Sequence, residues 1–484
     1  MGTVAAVAVV AGVVAALSAT RYGYYYDELY FIAAGKRPSF GYVDQGPLVP
    51  LLAHAMDWLF PGSFAALRIP AVAASVAVVV LGAVITRELG GGRAAQALTA
   101  TACATSAFVL GQAQTLSTNG IDTLLWAVLA WLLVRWVRTR HDALLLTAGL
   151  VTAVAVQVKW LVPVFWIAVI IAAGWLGPRV LLRRPALWWS AGIVVLAATP
   201  GLIWQARHGW PHLGMGSVVR GQTGGFTGTL WFVPLTLQWW GLLGAVVIAC
   251  GVWQLLRSPR LRPYRFLGVA FLLTVAVFAI SGGRSAYGAG AYPMVMAAGA
   301  VGLTAARKRW LTIAAVPTVV LSVLAAVVYA TPWRAASQYT PAPNRAAALS
   351  PSAYSELGWS ELVDATADAY RTLTPQQQRT AAVVTEWYVQ AAALDHGRAG
   401  AGLPSVFSPN RGFGYFGAPP DTADTVLYVG STDADLSRWF TSVVPVRRMD
   451  YPLGIPGITS DITIWECTGP KQPWSVMWPT MRRL

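Results

Sequence analysis

Hydrophobic runs recur through the first two thirds of the chain and then stop. Segments at 3–19, 63–86, 94–112, 120–136, 143–157, 160–177, 187–206, 229–256, 266–281, 288–305 and 310–330 are almost wholly apolar. A helix of roughly 17–25 apolar residues crosses a bilayer, so the pattern predicts about eleven transmembrane helices. The fifth and ninth runs are short for that task and are expected to extend into their flanks. After residue 330 the pattern changes. A Pro/Ala-rich linker, 331–352, leads to a predicted helix over Tyr354–Arg371, a strand over Ala381–Thr385 and a helix through Leu394. Strands follow at LPSVFS, DTVLYVG, SVVPVRR and DITIWEC, with a short helix near Asp433–Phe440. Such alternation indicates a small α/β domain over 353–484. The expected architecture is a polytopic α-helical membrane domain, residues 1–330, carrying that α/β domain at its C-terminus.

The polar connections give an orientation. Arg87/Arg93, Arg135/Arg138/Arg140, Arg179/Arg183/Arg184, Arg257/Arg260/Arg262/Arg265 and Arg307/Lys308/Arg309 put fifteen cations in short loops on one side, against two acids. Short loops rich in Lys and Arg stay in the cytoplasm. The N-terminus is therefore expected inside the cell membrane and the tail outside. Residues 3–19 lack a basic leader, which favours a retained membrane helix over a cleaved signal peptide. Composition sharpens this picture. Only 11% of the 484 residues are charged, where soluble domains carry about a quarter. Residues 1–330 hold 23 cations and 7 acids, the tail 12 and 13. The basic excess thus sits among the apolar segments, which suits anionic lipid headgroups and excludes a nucleic-acid role. Cys103 and Cys250 lie in apolar runs and Cys467 is alone in the tail, so no disulfide framework is implied.

Function on a membrane scaffold concentrates in loops, and the outside loops are unequal. The largest, 20–62, is rich in Tyr; Asp27–Ala34 is expected to form an amphipathic helix at the interface, then a Gly/Pro turn and a second helix over Leu51–Phe60. The loop 207–228 is Gly-rich and reads as flexible. Its His208 and His212 have a helical i,i+4 spacing that two metal ligands could use, a weak signal in such a loop. Asp27, Glu28, Asp44, Asp57 and Asp122 fall on or near the outer face with Arg68, Lys159, Arg220 and Arg284. Charges at membrane depth are costly, so opposite charges on separate helices suggest an outward-opening polar cavity. Its bases suit an anionic group such as phosphate, and its acids suit a proton or a metal. Plainer roles compete for each. Neighbouring Asp27 and Glu28 point about 100° apart on a helix, so one of them caps or pairs. Asp44 sits where turns favour Asp. Asp57 could pair with His54 on one helix face. Asp122 could serve the helix dipole, and Lys159 and Arg284 could snorkel to headgroups.

The motifs YYYDELYF, GYVDQGPLVPLLA, ALRIPA, RELGGGR, LSTNGIDTLLWAVLAWLLVR and QVKW together resemble bacterial GT-C glycosyltransferases. The likeness is to the group related to protein O-mannosyltransferases and lipid A aminoarabinose transferases. It extends to TEWYVQAAALDHG, GFGYFGAPP and WECTGPKQPW in the tail. The resemblance implies a membrane enzyme that takes a sugar from a polyprenyl-phosphate carrier and delivers it outside the cytoplasm to a protein, glycan or small molecule. It casts Asp27 as general base, Asp44 as the second loop acid, Asp122 as the acid opening the fourth helix and Lys159 as a donor-phosphate contact. Arg284 stands where relatives often have Lys before an aromatic. No cofactor is required by this reading, though a divalent cation is possible among the acids. Two departures set the chain apart: relatives often read VDQPPL where Gly46 makes VDQGPL, and GRSAY at 283–287 replaces a GKPYY type.

The implied chemistry is coherent. A lipid phosphate leaves as an anion, so it needs cations as the anomeric C–O bond lengthens. The acceptor hydroxyl needs one carboxylate on the opposite face, and single displacement predicts inversion. A transporter or flippase of lipid-linked intermediates would also want outward charges. However, transporters place charged or broken helices near mid-membrane in inverted repeats, whereas here the polar groups gather on one face. A scaffold role for residues 331–484 is the third reading.

Overall fold

The computed structural model describes residues 2–306, 309–345, 352–431 and 435–484. Two units emerge. One comprises Met1–Ala19, Phe40–Val49 and Ala65–Trp333, the other Thr20–Ser39, Pro50–Phe64 and Arg334–Leu484. The large first loop, expected to go with the membrane domain, is divided between them.

The first unit is mostly helical. Among the described residues six helices are long and apolar enough to cross a membrane: Phe64–Glu88, Thr118–Thr139, Pro185–Arg207, Phe226–Arg257, Pro259–Ile280 and Ile313–Ala330. Arg93–Ala104 and Ala107–Ala113, bent by 61°, make a seventh span if taken together. Four other predicted runs fold as shorter helices, Gly2–Ser18, Ala143–Ala155, Val162–Leu176 and Ala289–Ala305. The ninth run does extend into its flank, through the 3-10 turn Pro259–Tyr264. The fifth does not; it stops at Ala155. There the chain turns, and the carbonyls of Gln157 and Val158 face sideways to accept from the amides of Leu48 and Gly46 at 3.0 and 3.2 Å. A longer helix would have consumed those carbonyls.

On the cation-rich side both acids are paired. Glu88, 7% exposed, takes Arg138 at 2.7 Å and Arg135 at 3.1 Å, and Asp142 takes Arg184 at 3.5 Å. A buried carboxylate without such partners would be strongly destabilising. Arg307 and Lys308 of the last cationic loop lie outside the described residues. The loop 207–228 is not flexible coil: Pro211–Gln222 is a helix. Pro211 starts it with a fixed φ, and Gln205 accepts from the His212 amide at 3.1 Å, which overrides the low helix propensity of its glycines.

The second unit is built on a five-stranded sheet, order β2-β1-β3-β5-β4. β1 (Ala381–Thr385) pairs in parallel with β2 (Val406–Phe407) and β3 (Thr425–Ser431); β5 (Ile462–Pro470) runs antiparallel to β3 and to β4 (Phe440–Met449). Helix Tyr388–Ala401 is the crossover between the parallel strands β1 and β2. One sheet face buries Val384, Val426, Tyr428, Phe440 and Cys467 against Trp474 and Trp478. Those tryptophans lie on Trp474–Met481, a helix absent from the sequence reading. Burial pushes the Cys467 thiol up to about 12, so it is an inert core residue.

Other expectations in this unit are corrected. The helix predicted from Tyr354 begins at Trp359, because Gly358 before it has φ +86°; Ser352–Ser355 is a 3-10 turn. Asp433 of the predicted helix near 433–440 lies outside the described residues, and 437–439 form a turn into β4. The helix expected over Asp27–Ala34, seen as Tyr26–Gly35, is not amphipathic: Glu28 through Gly35 are all buried. It packs on helix Tyr388–Ala401, and Gly35 lies so close to the Pro50 carbonyl that a Cβ would sit 2.2 Å from it.

Candidate functional site

Each unit holds one constellation of chemistry-bearing side chains. In the first unit it centres on the turn after helix Ala143–Ala155. That turn aims Lys159 toward the start of helix Thr118–Thr139, where its ammonium donates to Asn119 Oδ1 at 2.5 Å and lies 5.0 Å from the centre of the Tyr287 ring. Ser117 caps the same helix by accepting from the Gly120 amide. Asp122, 6% exposed, follows one turn on; its carboxylate feels the Lys159 charge, and its Oδ1 accepts no hydrogen bond. A buried carboxylate oxygen without a donor is a rare and costly arrangement.

The loop carrying Asp44 is fixed against this turn. Gly46 donates to Val158 O at 3.2 Å, and a Cβ at Gly46 would lie 2.2 Å from Gln157 O. Position 46 therefore needs both a free N–H and no side chain, which proline would deny. Gln205 donates to Tyr42 O at 2.8 Å, and His212 Nδ1 lies 3.1 Å from Val43 O. The His212 ring packs on Trp160, centroids 5.1 Å apart. Burial lowers the His212 pKa, opposed by the nearby Asp44 carboxylate. The unit thus brings Asp44, His212, Lys159, Asn119, Asp122 and Tyr287 into one neighbourhood with paired signs of charge.

Arg220 and Arg284 form a separate, exposed group. Arg220 donates to Ile280 O at 2.9 Å, and Arg284 donates to Gln222 Oε1 at 2.9 Å. Both hold helix Pro211–Gln222 to the 281–287 turn. Arg68, 1% exposed, donates to Ala19 O at 2.9 Å and closes the end of helix Gly2–Ser18. His208 stacks on Trp204 at 4.1 Å with Nδ1 2.7 Å from Trp204 O, so His208 and His212 serve different contacts. Among the described residues no group of three or more His, Cys, Asp and Glu side chains could hold a metal ion.

In the second unit the constellation centres on Asp27, whose Oδ1 accepts from the Tyr388 hydroxyl at 2.8 Å. That hydroxyl in turn accepts from Arg411 at 3.2 Å, whose guanidinium lies 4.9 Å from the Tyr388 ring centre. Glu28, fully buried, turns the other way: it accepts from the Tyr25 amide at 2.8 Å at the start of the helix. The two neighbouring acids therefore turn to different partners, as the roughly 100° between adjacent helix positions requires. Asp57 pairs with Lys36 at 3.8 Å instead of with His54. Arg37 grips Asp395 through both guanidinium nitrogens, at 2.9 and 3.0 Å, and lies 5.6 and 5.4 Å from the rings of Phe413 and Phe416. Tyr24 meets His396 edge-on at 4.9 Å. Tyr388, Asp395 and His396 all come from TEWYVQAAALDHG, and Phe413 and Phe416 from GFGYFGAPP. Sequence reasoning quoted both segments without assigning them a task; their task is to hold residues 20–39. Asn119, Tyr287 and His212 were likewise missed as partners, being neutral or assigned elsewhere.

Comparison with known proteins supports the resemblance. A family model described as dolichyl-phosphate-mannose-protein mannosyltransferase matches residues 44–204, the stretch that contains Asp44, Asp122 and Lys159. The fold matches that of ArnT from Cupriavidus metallidurans, solved in the apo state and bound to undecaprenyl phosphate. The TM-scores are 0.60 and 0.59 at 13% and 12% identity, over 96% of this chain and 98% of that one. A search of curated protein sequences gives no match. The chain thus carries the mannosyltransferase-model match over residues 44–204 and shares the fold of ArnT, helical with a small C-terminal sheet domain.

Proposed function

We infer that the chain is an inverting glycosyltransferase, moving a sugar from a polyprenyl-phosphate donor to an acceptor hydroxyl outside the cytoplasm. The observation that carries this reading is the Lys159 constellation: an ammonium, a buried carboxylate that feels its charge and a loop acid within the stretch that the mannosyltransferase model matches. ArnT binding undecaprenyl phosphate supports the same class of donor. Lys159 contacts the donor phosphate and stabilises its charge as it leaves. Asp27 removes the acceptor proton. Asp44 and Asp122 position the sugar through its hydroxyls, while Arg220 and Arg284 attract the anionic carrier. The outer face of the cell membrane is where such a donor is delivered, in keeping with the positive-inside pattern.

The test is reconstitution of the full chain in liposomes with undecaprenyl-phosphate-linked mannose or, separately, arabinose. Acceptor-dependent release of undecaprenyl phosphate is expected, and Asp27→Asn is expected to abolish it while leaving donor binding intact. Translocation of the donor without consumption would instead support the transporter reading.

A further inference from the structure

Asp27 is the carboxylate on which the proposed reaction turns. One of its partners comes from more than 360 positions away. Tyr388 is the first residue of helix Tyr388–Ala401, and its amide donates to Asn410 Oδ1 at 3.2 Å. Its ring meets Tyr30 edge-on at 5.0 Å, one turn beyond Asp27 on the same helix. The ring is therefore locked from two sides, and it is 6% exposed. A Tyr hydroxyl has a single proton to give. Because Arg411 donates to that oxygen at 3.2 Å, the proton is directed at Asp27 Oδ1, 2.8 Å away. Gly412 completes the clamp: a Cβ there would lie 1.8 Å from the Tyr30 hydroxyl, so no other residue lets the Arg411 loop come so close.

We propose that Tyr388, polarised by Arg411, is a positioning residue for the Asp27 carboxylate, holding its Oδ1. The assignment rests on the reading of Asp27 as the base. It gives the C-terminal domain a direct part in the reaction: the domain is the arm that aims the base. A hydroxyl donating to a carboxylate is a charge-assisted bond, shorter and stronger than a neutral one, and it fixes the rotamer of Asp27 at the start of its helix. Aim matters in the transition state and not for holding the lipid-linked donor, so its loss appears in kcat.

The experiment compares the full chain with Tyr388→Phe, Arg411→Lys, Arg411→Gln and Asp27→Asn in liposomes, with undecaprenyl-phosphate-linked mannose and arabinose as donor probes. Tyr388→Phe keeps the ring packing and deletes only the hydroxyl. It is expected to lower kcat roughly tenfold to 100-fold with the donor KM within about twofold of the parent. Arg411→Gln follows the same direction, and Arg411→Lys, which still donates to the Tyr388 oxygen, recovers most of the loss. If Tyr388→Phe fails to accumulate, the Arg411 pair carries the test. An inactive Asp27→Asn beside a fully active Tyr388→Phe overturns the positioning role and leaves the base intact. An active Asp27→Asn, or a parent chain that consumes neither donor, overturns the functional reading and this inference with it. A rise in donor KM equal to the fall in kcat/KM overturns positioning in favour of donor binding.

Discussion

Gly46 joins the loop that carries Asp44 to the turn that carries Lys159, and Gly46→Ala tests whether that junction sets activity. The added methyl would lie 2.2 Å from the Gln157 carbonyl oxygen and 2.4 Å from its carbon, both backbone atoms, and relief requires at least 3.0 Å. The two segments must therefore separate by close to 1 Å. Separation weakens the bonds Gly46 N to Val158 O and Leu48 N to Gln157 O, each about 1 kcal/mol. Overpacking adds about 1–3 kcal/mol, so the expected destabilisation is about 3–5 kcal/mol. Misplacing a catalytic group by about 1 Å costs on the order of 100-fold in rate. Denaturant titration in detergent measures the first quantity; turnover of undecaprenyl-phosphate-linked mannose or arabinose measures the second. Gly192→Ala is the control, since a Cβ there meets nothing within 4 Å; it should stay within about 1 kcal/mol of the parent. Gly46→Pro also deletes the amide donor and should fall at least as far as Gly46→Ala. If Gly46→Ala matches Gly192→Ala in both measurements, the loop and the turn are not held where the structure puts them, and the Lys159 constellation loses its physical basis.

Further predictions follow the same elements. Lys159→Gln should weaken binding of undecaprenyl-phosphate-linked sugar by roughly 10- to 150-fold, read by donor titration; Arg284→Gln, at an exposed site shared with Gln222, should act in the same direction but less, and Arg260→Gln, in a cation-rich connection, not at all. Cysteines placed at positions 260 and 400 should react with an impermeant maleimide from opposite sides of the membrane; labelling from one side would break the orientation drawn from the loop cations. Burial lowers the His396 pKa despite the nearby carboxylates of Asp57 and Asp395, with Lys36 adding to the lowering. The unfolded chain therefore takes up a proton that the folded one resists, and stability should fall as pH drops below about 6.5. Thermal unfolding between pH 7.5 and 5 should show this loss, and His396→Gln should reduce it; an identical pH dependence in the variant would exclude His396 as its source.

The sequence by itself determined the helical class and the small α/β domain, because apolar runs long enough for a bilayer and β-branched strands between turns are local properties. It also separated the acid-bearing connections from the cation-rich ones, since loop charge is a count along the chain. That Asp27 and Glu28 could not share one direction was legible from helix geometry alone. What the tertiary structure decided are relations between distant segments. Tyr388 and Asp27 lie 361 positions apart, and Arg37 and Asp395 lie 358 apart; no periodicity links such pairs. The helix Tyr26–Gly35 looked amphipathic because its Tyr and acid positions are polar, yet packing within its unit buries Glu28 through Gly35. The helix Pro211–Gln222 reads as coil by propensity and is held by contacts to Gln205 and to the 280–282 turn. Gly46 reads as a turn residue; only the approach of Gln157 and Val158 explains why a side chain is excluded there and an N–H required. Local pattern sets which elements form, whereas a charge finds its partner through the three-dimensional path of the chain, where one hydrogen bond to a carboxylate outweighs any local preference.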